Sequence, residues 1–179
     1  MKKQKLPEKS ELLFSAKDID LLVSKLADEI SADLILSAHK NLFVCVLKGA
    51  WIFTADLVRK IPHPIEVDFI KAASYGHGTE SSGKVKVELP PTLDVKGKDV
   101  YVLDEIIDTG RTLLELKQLF QEKGANSVRL VALLDKKSRR EVDVNADFVG
   151  IEIDDVFVVG YGLDWGEKFR DLSEIHAII

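Results

Sequence analysis

Val100-Tyr101-Val102-Leu103-Asp104-Glu105-Ile106-Ile107-Asp108-Thr109-Gly110-Arg111-Thr112-Leu113-Leu114 passes from apolar strand to polar loop to helix without a break. Its first residues are apolar β-formers, the pattern of a parallel strand covered on both faces. Three carboxylates (Asp104, Glu105 and Asp108) and the turn Thr109-Gly110-Arg111-Thr112 follow at the carboxyl end of that strand, before an amphipathic helix begins. In an open α/β sheet, ligands bind in the crevice beyond those strand ends. The backbone N–H groups of the turn, the hydroxyls of Thr109 and Thr112 and the positive helix end would all face an anion, most naturally a phosphate. The carboxylates cannot hold that phosphate directly. They suit sugar hydroxyls, a hard cation such as Mg²⁺, or a proton to be removed. Phosphate, sugar and metal in one loop point to a phosphorylated ribose. The bland alternative is an ordinary strand–turn–helix connection with solvated acids.

Outward from this segment, strands alternate with helices. A helix is predicted over about Lys17 to Ser37, with Ile19, Leu22, Val23, Leu26, Ile30 and Leu34 at three- and four-residue steps and Ser15 with Asp18 as its cap. Asn41 to Leu47 reads as the first core strand, broken at Lys48-Gly49 before a helix carrying Trp51, Ile52, Leu57 and Val58. Ile65 to Ala72 is the next strand. A Gly- and Ser-rich loop follows, and Val85, Val87 and Leu89 alternate like the far arm of a hairpin or flap. The helix after the opening segment carries Leu113, Leu116, Leu119 and Phe120 and stops near Gly124. Ser127 to Leu134 is a buried strand, with shorter ones at Asp147 to Gly150 and Val156 to Val159. This order predicts an α/β fold with a doubly wound, mostly parallel sheet in a single domain. The core is expected over about 37–150, a small hood lobe over the strand ends from about 1–16 and 151–179, and a flexible loop over about 74–88.

Bulk properties narrow the partners. The 179 residues suffice for one domain with a full core. A net charge of -5 argues against a general nucleic-acid surface, so local Lys and Arg with bound Mg²⁺ must invert the field around an anionic ligand. The lone Cys45 excludes an intrachain disulfide and, lying in an apolar strand, reads as a core thiol rather than a nucleophile. The basic start Met1-Lys2-Lys3-Gln4-Lys5 leads into Pro7 and Glu8 instead of an apolar block, and no run reaches membrane-spanning length. A soluble cytoplasmic protein without membrane contact is expected. His39, His63, His77 and His176 lack metal-ligand spacing.

The opening segment resembles the 5-phosphoribosyl 1-pyrophosphate loop of type I phosphoribosyltransferases, and Ile106-Ile107-Asp108-Thr109-Gly110 is similar to its hypoxanthine–guanine branch. That resemblance implies displacement of pyrophosphate from C1 of the ribose by a purine ring nitrogen, with Mg²⁺ as cofactor and Asp108 as general base. It implies that Asp104, Glu105, Asp108, Thr109, Gly110, Arg111 and Thr112 hold the phosphoribosyl group. Leu47-Lys48-Gly49 matches the family's pyrophosphate loop, often built on an unusual cis peptide; read alone, Lys48 and Gly49 also fit a helix start with a solvated lysine. Ser74-Tyr75 resembles the mobile loop that closes over the substrate and excludes water.

Lys136, in a Leu-Leu-x-Lys pattern, is implied to donate to the purine 6-oxo group. That contact selects oxopurines over adenine, which would set donor against donor. Read alone, Lys136 is a surface lysine, as is its neighbour Lys137. Phe157-Val158-Val159-Gly160-Tyr161-Gly162-Leu163-Asp164 and Phe169-Arg170-Asp171-Leu172 complete the match. Phe157 is implied to stack on the purine, the Val158 backbone to bond its edge, Asp164 to serve a second Mg²⁺, and Arg170 to hold pyrophosphate. The metal set is thus Asp104, Glu105 and Asp164. Gly160-x-Gly162 is not a dinucleotide fingerprint, because Trp165 stands where the third glycine belongs.

Two departures qualify the match. Asp104-Glu105 reverses the family's usual Glu-then-Asp order, and adjacent strand residues are expected to point to opposite sides. Arg111 replaces the usual lysine or small polar residue and is expected to keep positive charge near the phosphate. Asp108, following a buried strand and an Ile-Ile pair, is expected to gain basicity from partial desolvation. A homodimer or homotetramer is implied by the family. A binding protein that keeps the loop as a ligand sensor, or a transferase for xanthine or another base, are the rival readings.

Overall fold

The computed structural model describes residues 6–74 and 85–179, with side chains over 6–72 and 87–179. Tyr75 and most of the expected flexible loop therefore lie outside the described residues. The elements in chain order are β1 (Ser10–Phe14), α1 (Ala16–Leu36), β2 (Asn41–Leu47), α2 (Trp51–Lys60), β3 (Glu66–Ser74), β4 (Val85–Glu88), β5 (Asp99–Ile107), α3 (Arg111–Glu122), β6 (Ser127–Asp135), β7 (Phe148–Glu152), β8 (Phe157–Val159) and β9 (Ile175–Ile178).

Six strands form the main sheet in the order β4-β3-β2-β5-β6-β7. All its pairings are parallel except that of β4, which returns antiparallel along β3. Period-two alternation divides its central strands between two cores. Phe43, Tyr101, Leu103, Val131 and Leu133 face α1 and α2, while Val44, Val46, Val100, Val102, Leu130 and Ala132 face Leu113, Leu116 and Phe120 of α3. Helices on both faces make the sheet doubly wound, as the alternating order predicts. Among the described residues no helix is long and apolar enough to cross a membrane.

α1 begins where the sequence places it. The Ser15 hydroxyl accepts from Asp18 N, and the Asp18 carboxylate accepts from Ser15 N at 2.9 Å, which closes a capping box. Its 21 residues bury Ile19, Val23, Leu26, Ala27, Ile30 and Leu34 on one stripe. Tyr101 anchors the sheet beneath this helix: its ring stacks on Phe43 at 4.7 Å and its hydroxyl donates to Asp33.

A second sheet is missing from the sequence reading. β1 and β8 pair antiparallel on either side of β9, joining the two ends of the described chain. β1 exposes Glu11, Leu12 and Leu13. β8 falls within the expected strand Val156 to Val159, whereas β1 and β9 have too little periodicity to announce themselves and are defined by pairing with each other.

The topology also fixes where a ligand fits. From β2 the chain crosses over α2 to β3 on one side; from β5 it crosses over α3 to β6 on the other. The winding therefore reverses between the paired strands β2 and β5. The crevice at that reversal, beyond the strand carboxyl ends, is the ligand position of open α/β sheets.

Candidate active site

Two loops flank that crevice. β2 ends in a cis peptide between Leu47 and Lys48, followed by Gly49. β5 ends in Asp104, Glu105 and the turn from Asp108 to Thr112. They meet where the Glu105 carboxylate lies directly over Gly49; a Cβ there would stand 1.7 Å from Oε1. Gly162, in the turn after β8, closes on the same spot, since its own Cβ would stand 2.1 Å from the Gly49 carbonyl oxygen.

Asp104 Oδ1 accepts from the Glu105 backbone N–H at 3.1 Å, and the two carboxyl groups lie close enough to interact. β2 stops pairing with β5 at Leu103, so beyond it β5 is held on one edge only and the longer Glu105 side chain folds over the glycine. Burial holds both carboxyls above the usual carboxylate range, and for Asp104 the neighbouring Glu105 charge adds to it.

The turn forms a small cradle. Gly110 caps α3 at φ +83°, and a Cβ there would also stand 2.6 Å from Val144 and 2.8 Å from Arg140, so conformation and crowding both require glycine. A cavity of about 190 Å³ opens at this helix end, lined by Asp104, Ile107, Asp108, Thr109, Gly110 and Thr112. Oxygen acceptors of an anion would meet backbone N–H groups, two threonine hydroxyls and the helix dipole there. Arg111 enters this cradle through its backbone, its N–H lying 3.4 Å from Thr109 Oγ1. At the first turn of α3 its guanidinium pairs with Glu141 at 2.7 Å.

The segment after β6 buttresses the turn. Lys136 N donates to Ile107 O at 2.9 Å, Glu141 N to Thr109 O at 3.0 Å, and Arg140 to the Asp108 carbonyl and the buried Asp135 carboxylate. Lys136 itself is buried, unlike a surface lysine, and its ammonium lies 4.0 Å from Asp155. Lys137 is exposed and paired with Glu152. Asp108 departs from its expectation of desolvation: its side chain is 46% exposed and accepts a hydrogen bond from Arg139 at 3.1 Å.

The third wall comes from β8 and the turns after it. Arg170 donates to Gly162 O at 2.7 Å and pairs with Asp164 at 2.8 Å, leaving its Nε buried without a hydrogen-bond partner. Glu167 links this group to the first loop, accepting from Lys48 at 3.0 Å and lying 3.4 Å from Arg170. The Lys48 bond is the main cause of a Glu167 carboxyl held below its ordinary range. Phe157 is half-exposed and meets Trp165 edge-on at 6.2 Å, whereas Val158 is buried. Glu167, Trp165, Asp155 and Arg139 were not singled out as site residues from the sequence. An exposed tryptophan in a glycine-rich turn was the one available signal.

Among the described residues no three His, Cys, Asp or Glu side chains gather into a cage for a metal. The cleft offers instead the hard-oxygen pair Asp104 and Glu105, with Asp164 engaged by Arg170. This donor set fits Mg²⁺, which is commonly held by one or two carboxylates together with substrate phosphates and water. A larger cavity of about 520 Å³ lies away from this chemistry, between α1, α2 and Asp171 to Ser173. Lys60 there pairs with Asp20, and both Arg59 and the Tyr161 hydroxyl engage Asp56.

The phosphoribosyl transferase domain family matches residues 13–165, and the chain belongs to that family. Its relatives narrow the branch. It is 43% identical to the hypoxanthine-guanine phosphoribosyltransferase of Aquifex aeolicus over 96% of each chain. It is 42% identical to that of Bacillus subtilis over 93% of this chain and 92% of the relative. The crystal structure of a hypoxanthine phosphoribosyltransferase from Staphylococcus aureus is similar with a TM-score of 0.88, at 36% identity over 94% of this chain and 91% of that one.

Proposed function

We propose that this protein transfers the 5-phosphoribosyl group of 5-phosphoribosyl 1-pyrophosphate to hypoxanthine or guanine, with xanthine a further candidate base, releasing pyrophosphate in purine salvage. The observation that carries the reading is the buried Lys136 ammonium at the carboxyl end of β6, beside the phosphate cradle at the switch point. The similarity to hypoxanthine and hypoxanthine-guanine phosphoribosyltransferases supports it. A cytoplasmic setting and a homodimeric or homotetrameric assembly belong to the same proposal.

The residues divide the substrates between them. Asp108 to Thr112 receive the 5-phosphate through the turn backbone, Thr109 and Thr112. Asp104 and Glu105 face the ribose hydroxyls. Lys48, the Gly49 backbone and Arg170 grip the pyrophosphate, which requires Lys48 to leave Glu167. Lys136 donates to the purine 6-oxygen, Phe157 stacks on the ring, and the Val158 backbone and the Asp164 carbonyl meet its edge. Asp104, Glu105 and Asp164 would hold Mg²⁺, which would neutralise charge on the pyrophosphate as it leaves. As the C1–oxygen bond breaks and the bond from the purine nitrogen to C1 forms, the Asp108 carboxylate accepts the proton of that nitrogen.

The test mixes the protein with Mg²⁺, 5-phosphoribosyl 1-pyrophosphate and hypoxanthine and follows pyrophosphate and nucleotide together. Equal amounts of both are expected. Binding of the phosphoribosyl donor with no turnover of any base would replace this reading with that of a sensor.

A further inference from the structure

We infer that Asp155 is a positioning residue that frees the base Asp108 by drawing Arg139 away from it once Lys136 has engaged the purine 6-oxygen; this rests on the functional reading above. Four groups of alternating charge stand in line. Arg139 Nε meets Asp108 Oδ1 at 3.1 Å, Arg139 faces Asp155 Oδ2 at 3.8 Å, and Asp155 Oδ1 faces Lys136 Nζ at 4.0 Å. The first contact is a formed hydrogen bond. The other two are each about 1 Å longer than the ~2.8 Å of a charge-assisted bond.

In this arrangement Arg139 Nε holds Oδ1 of the carboxylate that must receive a proton, and the lone pair bonded to the guanidinium is not free to take one. Asp155 is the alternative acceptor within reach, because Glu141 is taken by Arg111. Asp155 divides its two oxygens between Arg139 and Lys136. When Lys136 turns to a purine 6-oxygen, Asp155 loses one cation and attracts the other more strongly. Arg139 Nη1 then needs about 1 Å of movement to close a charge-assisted bond to Asp155, and that swing of the guanidinium draws Nε off Asp108. No proton passes along this line; only ion pairs exchange, and the transferred proton goes from the purine nitrogen to Asp108.

Recognition of the 6-oxygen and release of the base thus become one event. A 6-amino purine, which offers Lys136 a donor, would leave Arg139 on Asp108. Asp155 is not needed merely to tie its strand to the loop, since other contacts do that. Lys137 pairs with Glu152 at 2.7 Å and Ile153 N donates to Asp135 O at 2.9 Å.

The experiment is a double-mutant cycle on the full chain, reading kcat with hypoxanthine for the unmodified protein, Asp155→Asn, Arg139→Gln and the double variant, with thermal melts of each. Asp155→Asn is expected to lower kcat about tenfold with the KM for the phosphoribosyl donor little changed. In the Arg139→Gln background the same change should cost less than about twofold, a coupling typical of neighbouring charges. Asp155→Glu should restore most of the loss. An equal loss in both backgrounds, no loss in the first, or failure of Asp155→Asn to fold would each overturn the inference alone. Absence of turnover by the unmodified protein would overturn the functional reading and this inference with it.

Discussion

The Glu105 carboxylate occupies the space over Gly49, so closely that a Cβ on Gly49 would stand 1.7 Å from Oε1. This contact joins the loops of β2 and β5 across the point where the winding reverses, and it sets where the Asp104–Glu105 pair faces the crevice. Gly49→Ala displaces the end of a flexible side chain, so the fold should survive while the carboxylates shift. A misplacement of about 1 Å can cost about 10²-fold in rate, and we expect a loss of that order in kcat/KM. Steady-state kinetics with a thermal melt would check this, and near-normal kcat/KM would show that the pair tolerates the movement. Gly162→Ala should instead destabilise the fold, because its Cβ meets a backbone carbonyl at φ +99°.

Asp108→Asn keeps the shape of the cradle and removes the proton acceptor. Turnover should fall by roughly 10²–10⁴-fold, the span of general-base catalysis, with the affinity for the phosphoribosyl donor mostly retained. Calorimetric binding beside single-turnover kinetics separates the two effects. Turnover close to normal would remove Asp108 from the chemistry.

Lys136→Met removes a buried ammonium while keeping much of its bulk. A hydrogen bond to a charged group contributes about 1.5–3 kcal/mol, so the KM for hypoxanthine and for guanine should rise by about 10–10²-fold. The dissociation constant of the phosphoribosyl donor should hardly move. A similar weakening toward both substrates would mean that Lys136 supports the loop rather than the base.

The Asp104–Glu105 pair is costly to the free protein, since burial raises both carboxyls and the neighbouring Glu105 raises Asp104 further. Asp104→Asn should therefore stabilise it by about 0.5–2 kcal/mol, the usual gain from relieving such a conflict, while turnover is lost. Urea unfolding at neutral pH measures the first effect. A destabilised variant would show that the pair is already compensated.

Asp99 gives a pH signature away from the site. Burial alone would raise its carboxyl, but hydrogen bonds from Asn126 at 2.6 Å, Ser127 at 2.7 Å and Ser37 at 2.5 Å outweigh it and hold it below the ordinary value. A folded pKa below the unfolded one stabilises the protein fully above the unfolded value of about 3.9, and that stability is lost as the pH falls through the folded value. Asp99→Asn should cost about 1–3 kcal/mol at pH 7 and at pH 5, with the gap closing only as the pH falls below the unfolded value and through the lowered folded one. A gap independent of pH would show that the charge is not what matters.

Much of this was legible because the determinants are local. The Val100–Leu114 run carries its own strand, turn and helix signals, and the Ser15–Asp18 cap and the buried stripe of α1 follow from spacing. Cys45 is a core thiol as its apolar strand implies, pushed up to about 11 by burial. What escaped the sequence depends on pairing across the chain. β1 and β9 exist through each other, Glu105 bends over Gly49 only because β2 ends beside it, and Arg139 reaches Asp108 through a turn between two strands. The desolvation expected for Asp108 belongs instead to Asp104 and Glu105, because Asp108 stands at the open mouth of the cleft.

The most direct test of the central claim gives the pure protein Mg²⁺, 5-phosphoribosyl 1-pyrophosphate and, in separate reactions, hypoxanthine, guanine, xanthine and adenine, following each nucleotide by absorbance. Turnover of hypoxanthine and guanine and none of adenine is expected, with xanthine ranked by the same rates. Turnover of adenine at a rate comparable to hypoxanthine would contradict the role of Lys136 and, with it, the assignment of an oxopurine site.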